Sequence, residues 1–210
     1  MPNGLSDPEH VEYGSWGGRF EQARKKNVRS GTGNETVDNE ISDHDDYHVY
    51  SDASDTWAHN GETYTSEYAT VFRWREHFQN DFAARMDWCV ADDYEKANHN
   101  PLAILNGDDS KRIIEIKAKP GDSVTLSSEG SSDPDGNGTV SRWMIYPEAG
   151  AHIGEVKLSR ATGTSTTLSI PKSDHDGERA VHVILVVEDD GTPSLVAYRR
   201  AVISVDGHRP

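Results

Sequence analysis

The chain has 210 residues, of which 34% are hydrophobic and 27% charged, with 36 Asp and Glu against 21 Lys and Arg for a formal net charge of -15. A surface of that sign repels nucleic-acid phosphates and anionic headgroups at long range, which excludes nucleic acid and membrane as partners and leaves a neutral ligand as the compatible class. No apolar run reaches the roughly 18 residues needed to cross a bilayer, and the opening MPNGLSDPEH lacks the basic stretch and apolar core of an export signal.

Residues 1–65 are rich in Gly, Ser, Asn, Asp and Thr, with Tyr13, Trp16, Phe20, Tyr47, Tyr50, Trp57 and Tyr64 spaced irregularly through them. Few aliphatic side chains are present between residues 21 and 63, so this stretch cannot bury much core alone. It reads as loops pinned by their rings against another surface. Residues 66–90 change period: Val71, Trp74, Phe78, Phe82, Met86 and Cys89 recur at gaps of three and four, which predicts one long amphipathic helix. Ser66 and Glu67 suit its start, Asp81 and Arg85 form a favourable i,i+4 pair, and Asn98 to Pro101 closes the segment. The apolar face requires a cover, and Cys89, the single cysteine, reads as a buried thiol.

Beyond residue 108 the period becomes two. Ile114, Ile116 and Ala118 alternate with charged residues before the Pro120-Gly121 turn; Val124 with Leu126, then 140–147, 155–158 and 166–170 follow as short strands. Residues 180–205 read as two long runs joined by an Asp189-Asp190-Gly191 turn, a β-hairpin signal. The fold class is therefore mainly β: a seven-stranded immunoglobulin-like sandwich at residues 108–207, preceded by a loop-and-helix segment at residues 1–100. Trp143 occupies the core position of the third strand.

Two acidic loops, Ser132 to Gly138 and Glu188 to Gly191, carry Asp133, Asp135 and Asp189, oxygen ligands of the kind calcium takes. The spacing falls short of an EF-hand loop, and Asp and Gly serve ordinary turns equally well, so turns are preferred and calcium is the alternative cofactor. Asp43 to His48 mixes imidazoles and carboxylates in the manner of a transition-metal site, against the plainer reading of a solvated acidic loop. There is no G-x-S-x-G and no phosphate-cradling glycine loop, and no catalytic residue is assigned. The aromatics are more specific, because a sugar presents an apolar C–H face to a ring while its hydroxyls meet polar neighbours. Trp16 beside Arg19, and Trp57 among Asp55, His59 and Asn60, have that company, with Tyr47 and Tyr50 as further candidates for carbohydrate contact.

The strings Tyr13-Gly14-Ser15-Trp16-Gly17-Gly18-Arg19-Phe20-Glu21, ATVFRWREHFQNDFAARMDWC at 69–89, Ala97-Asn98-His99, Asp189-Asp190-Gly191 and Tyr198-Arg199-Arg200 resemble a bacterial cellulose-binding protein family. That family joins a nucleoside-hydrolase-like domain to a C-terminal immunoglobulin-like domain. The resemblance implies that residues 1–100 correspond to the end of the hydrolase-like domain, that the partner is a neutral polysaccharide, and that the protein is secreted or periplasmic. The loop at 132–138 with Trp143 is similar to the polycystic-kidney-disease (PKD) type of sandwich. No apolar strand precedes Asp43, Asp45 and Asp46, so the hydrolase-like pocket is expected to be incomplete. An upstream domain of that kind, or a second copy, is the expected cover for the helix face. The rival readings are a hydrolase pocket completed from residues 43–59 and a purely architectural or dimerising piece.

Overall fold

The computed structural model describes residues 3–22, 50–151, 153–172 and 177–207. In chain order it forms β1 (Phe20–Gln22), β2 (Tyr50–Asp52), β3 (Asp55–His59), β4 (Glu62–Ser66), α1 (Ala69–Phe72), α2 (Arg75–Val90), β5 (Ile114–Ala118) and β6 (Ser123–Ser127). Then come β7 (Thr139–Ile145), β8 (Lys157–Leu158), β9 (Ser165–Ser169), β10 (Gly177–Asp189) and β11 (Val196–Gly207). The last seven strands form a four-stranded sheet ordered β5-β11-β10-β7 facing a three-stranded sheet ordered β6-β9-β8, the expected immunoglobulin-like sandwich. Strand β5 runs parallel to β11, and the other pairs are antiparallel.

Alternation along β10 divides its side chains between two cores. Val181, Val183, Leu185 and Val187 meet Leu126, Trp143, Leu168 and Ile203 between the sheets. The Trp143 indole N–H donates to the Gly163 carbonyl at 2.8 Å, which satisfies the one polar atom of this core ring. Ile184 and Val186 point the other way and join Leu5, Trp74, Tyr146, Val196 and Tyr198 in a second core, flanked by Trp16, Phe78 and Met144. The front segment thus lies on the outer face of the four-stranded sheet, which supplies the core that its own composition lacks.

Several expectations need correcting. Within residues 1–65, part of the stretch read as loops forms two antiparallel pairs, β1 with β2 and β3 with β4. Asn60 and Gly61 turn the second pair with φ of 51° and 81°, the left-handed angles a tight hairpin needs. The single helix is two: α1 begins where the Ser66 hydroxyl accepts the Ala69 N–H, and the chain breaks at Arg73 and Trp74 before α2. The face of α2 turned inward carries Trp74, Asp81 and Ala84, whereas Phe82, Met86 and Val90 are 63%, 46% and 82% exposed. Cys89 is exposed too, because burying Asp81 rotates the thiol outward. The Asp81–Arg85 pair forms as expected, at 2.6 Å. The final hairpin is joined by residues 190–195, a longer connection than the Asp-Asp-Gly signal implied.

Candidate functional site

Hairpin β3–β4 is anchored at one end and exposed at the other. At its base Asp55 is buried, accepting from Arg19 Nε at 2.7 Å, from an Arg73 terminal nitrogen at 2.8 Å and from the Tyr146 hydroxyl at 2.5 Å. Two cations and a phenol around one desolvated carboxylate make a fixed joint, since removing the carboxylate leaves the two largely buried arginines without it and removing an arginine weakens its compensation. Burial and the Asp55 carboxylate raise the Tyr146 pKa well above the usual phenol range, so the hydroxyl remains a donor. Arg19 also donates to the Ser54 carbonyl. Its guanidinium is therefore engaged in holding the hairpin.

Past that joint the strand pleat sets Trp57 opposite Tyr64 and His59 opposite Glu62 on one face. The Trp57 and His59 rings stack with centroids 4.7 Å apart and planes 20° apart, and Tyr64 lies 6.1 Å from Trp57, tilted by 35°. Trp57 is half-buried between them, His59 is exposed and Tyr64 is 45% exposed. The Tyr64 hydroxyl donates to the Glu62 carboxylate, which raises the phenol's pKa and places acceptor oxygens beside the rings. In the sequence His59 is marked only as polar company of Trp57 and Tyr64 only as one of the irregularly spaced rings, and Glu62 is not marked at all; the Asn60-Gly61 turn between alternating runs is the signal that joins them.

The other candidates fall elsewhere. Tyr50 is exposed at the start of β2, opposite Gln22. Tyr47 and the Asp43–His48 segment lie outside the described residues. Trp16 is half-buried on the second core, its indole N–H donating to the Tyr198 hydroxyl at 3.1 Å, and it lines a groove with Asp81, Arg85 and Asn100.

The three carboxylates weighed as calcium ligands each have separate partners. The Asn98 amide donates to both oxygens of Asp189 at 3.1 Å, and the N–H groups of Gly191 and Leu195 reach the same carboxylate. Burial pushes the Asp189 pKa up despite these donors. Asp135 accepts from the backbone and ring of His99, and one Asp133 oxygen accepts from the N–H groups of Asp135 and Asn137. The other Asp133 oxygen is buried without a partner, but among the described residues no three His, Cys, Asp or Glu side chains converge as a metal set. The donors present do not fit a calcium cage.

Residues 123–205 match the family model of the C-terminal domain of cellulose-binding protein Sde0182. A nucleoside hydrolase-related hypothetical protein from Saccharophagus degradans, described as associated with carbohydrate metabolism, is 34% identical over 97% of this chain with a TM-score of 0.74. The chain spans 45% of that protein's length. The PKD domain from KIAA 1837 protein aligns over 54% of this chain and 96% of its own at 17% identity and a TM-score of 0.34. No curated protein matches. Residues 123–205 are thus similar to the C-terminal domain of Sde0182, and the resemblance read from the sequence is borne out.

Proposed function

We propose that this chain is a non-catalytic binding module for cellulose or a related neutral polysaccharide, acting within a secreted polysaccharide-degradation protein. The observation that carries the reading is the accessible cluster of Trp57, His59 and Tyr64 on a hairpin whose base is locked by Asp55, Arg19, Arg73 and Tyr146. A β-linked glucan exposes flat C–H faces and equatorial hydroxyls. Rings held by a rigid base meet the former, and the Glu62 carboxylate beside them accepts from the latter. Arg19 acts here by positioning the hairpin, and Tyr50 offers a further exposed ring. The name of the matched family and the carbohydrate association of the Saccharophagus protein point the same way. A net charge of -15 sets up no repulsion against a neutral polymer.

The test is depletion of the protein from solution by insoluble cellulose. The wild type is expected to be depleted and Trp57→Ala with Tyr64→Ala to remain in solution. Removing this exposed cross-strand pair costs only about 0.2–1 kcal/mol of stability, so the variant stays folded. Chelator is expected to leave depletion unchanged, because among the described residues no three His, Cys, Asp or Glu side chains converge as a metal set. A wild type that binds no neutral glycan overturns the reading, and turnover of a nucleoside or oligosaccharide would favour the hydrolase rival.

A further inference from the structure

The groove beside Trp16 lies where the N-terminal coil, helix α2, residues 100–101 and the start of β11 meet, and encloses about 390 Å³. We infer that it is a second carbohydrate subsite, distinct from the hairpin face, which takes a single soluble chain of a neutral glycan. The inference rests on the proposed polysaccharide reading for its ligand class but on different residues for its location.

Three features support it. First, the Trp16 ring is immobilised: its N–H donates to the Tyr198 hydroxyl, which in turn meets His77 Nδ1, and Phe78 and Tyr198 contact it edge-on at 6.4 and 6.1 Å. Burial lowers the His77 pKa, which favours a neutral imidazole whose Nδ1 accepts a hydrogen bond from the tyrosine hydroxyl. A ring fixed in this way binds a sugar without losing rotamer freedom. Second, Asp81 presents an oriented carboxylate. Arg85 donates to both oxygens, through Nε at 2.6 Å and a terminal nitrogen at 3.5 Å, the Asn100 amide donates to the second at 3.3 Å, and the oxygen bound to Nε retains acceptor capacity for a hydroxyl. Third, the walls mix donors and acceptors: Asn3, Ser15, Asn100 and Lys111 line the same groove, and the Asp81–Arg85 pair cancels its own charge. Such a wall suits hydroxyls, which both donate and accept. A concave site of this size suits one chain, whereas the exposed hairpin face suits the flat surface of an insoluble polymer.

The test titrates cellohexaose into the whole chain and follows the indole N–H resonances in a proton–nitrogen NMR spectrum. Saturable movement of the Trp16 indole is expected. Trp16→Phe, which keeps an aromatic ring on the second core, is expected to weaken cellohexaose binding by about tenfold or more while leaving depletion on insoluble cellulose unchanged. Trp57→Ala with Tyr64→Ala is expected to do the reverse. If Trp16→Phe fails to fold, the wild-type titration decides alone. An unmoved Trp16 indole in a protein that insoluble cellulose still depletes overturns the groove and spares the hairpin, whereas failure of both assays overturns the polysaccharide reading itself.

Discussion

At the scale of single residues, Arg200 ties the front of the chain to the sandwich. It is fully buried on the outer face of the four-stranded sheet and among the described residues has no carboxylate partner. Its nitrogens donate to the carbonyls of Leu5 at 2.9 Å and Gly14 at 3.1 Å and to His182 Nδ1 at 3.0 Å, so carbonyl dipoles and an imidazole replace its water shell. The geometry requires a neutral His182, and burial followed by the Arg200 charge lowers its pKa from 6.5 to about 3. Desolvation brings Arg200 itself down to about 10, which leaves it charged at neutral pH. Below pH 6.5 the unfolded chain takes up a proton at His182 that the folded chain refuses until about pH 3, so stability falls as pH drops through that window. Between about pH 7 and 5, where carboxylates remain ionised, this single group removes on the order of 2 kcal/mol. His182→Asn keeps an acceptor for Arg200 without a titrating ring. In urea unfolding it is expected to reduce the stability difference between those pH values by that amount, with His77, whose pKa burial also lowers, supplying what is left. An unchanged difference would mean that His182 is solvated or already charged in the fold.

At the scale of elements, hairpin β3–β4 and helix α2 show why some structure was legible and some was not. The hairpin carries a strong signal, Asn60-Gly61 between runs that alternate Trp57, His59, Glu62 and Tyr64, but it sits in a stretch so polar that a count of aliphatic residues reads it as loop. Helix α2 gave its period correctly and its buried face in part: Trp74 and Phe78 pack on the second core, whereas Phe82, Met86 and Cys89 do not. Trp74, Phe78, Asp81 and Trp88 also follow helical spacing, but a stripe containing a carboxylate and flanked by His77 does not register as apolar, while Phe82 and Met86 on the adjacent face do. Charge pairing restores the choice: Asp81 is buried with Arg85 and Asn100 as partners, which no periodicity can foresee. The turn also gives a local test. Gly61 has φ of 81° with no atom within 4 Å of where a Cβ would stand, so Gly61→Ala is penalised by backbone conformation alone, about 1–2 kcal/mol. Loss of amide-exchange protection is expected within residues 55–66, with protection in β10 and β11 retained. Loss spread evenly over the chain would show that the hairpin does not open independently.

At the scale of the whole molecule, the seven sandwich strands were legible because each alternates between a wet and a dry face or ends at a turn. What alternation did not convey is the second core. Val183 to Val187 is an unbroken apolar run, the mark of a strand covered on both sides, and Ile184 and Val186 do face the front segment. For Leu5 and Trp16, among the described residues of 1–65, the expected supporting surface is this sheet, while Phe82, Met86 and Val90 remain bare. That arrangement makes the front segment and the sandwich interdependent. Detaching the front would expose Ile184, Val186, Tyr146 and Tyr198, each aliphatic burial being worth roughly 1.5–3 kcal/mol, and would strip Arg200 of its two carbonyl acceptors. Such a loss is comparable with the entire stability of an ordinary domain, so the sandwich has little left with which to stand alone. Thermal unfolding of the chain is therefore expected to give one calorimetric transition whose measured enthalpy equals the van't Hoff value. Gly4→Ala probes the same joint, because its Cβ would fall 1.9 Å from the Tyr198 carbonyl oxygen and force the coil off the sheet. It is expected to lower that single transition as a whole; two separated transitions in either protein would show that the sandwich is stable without its cover.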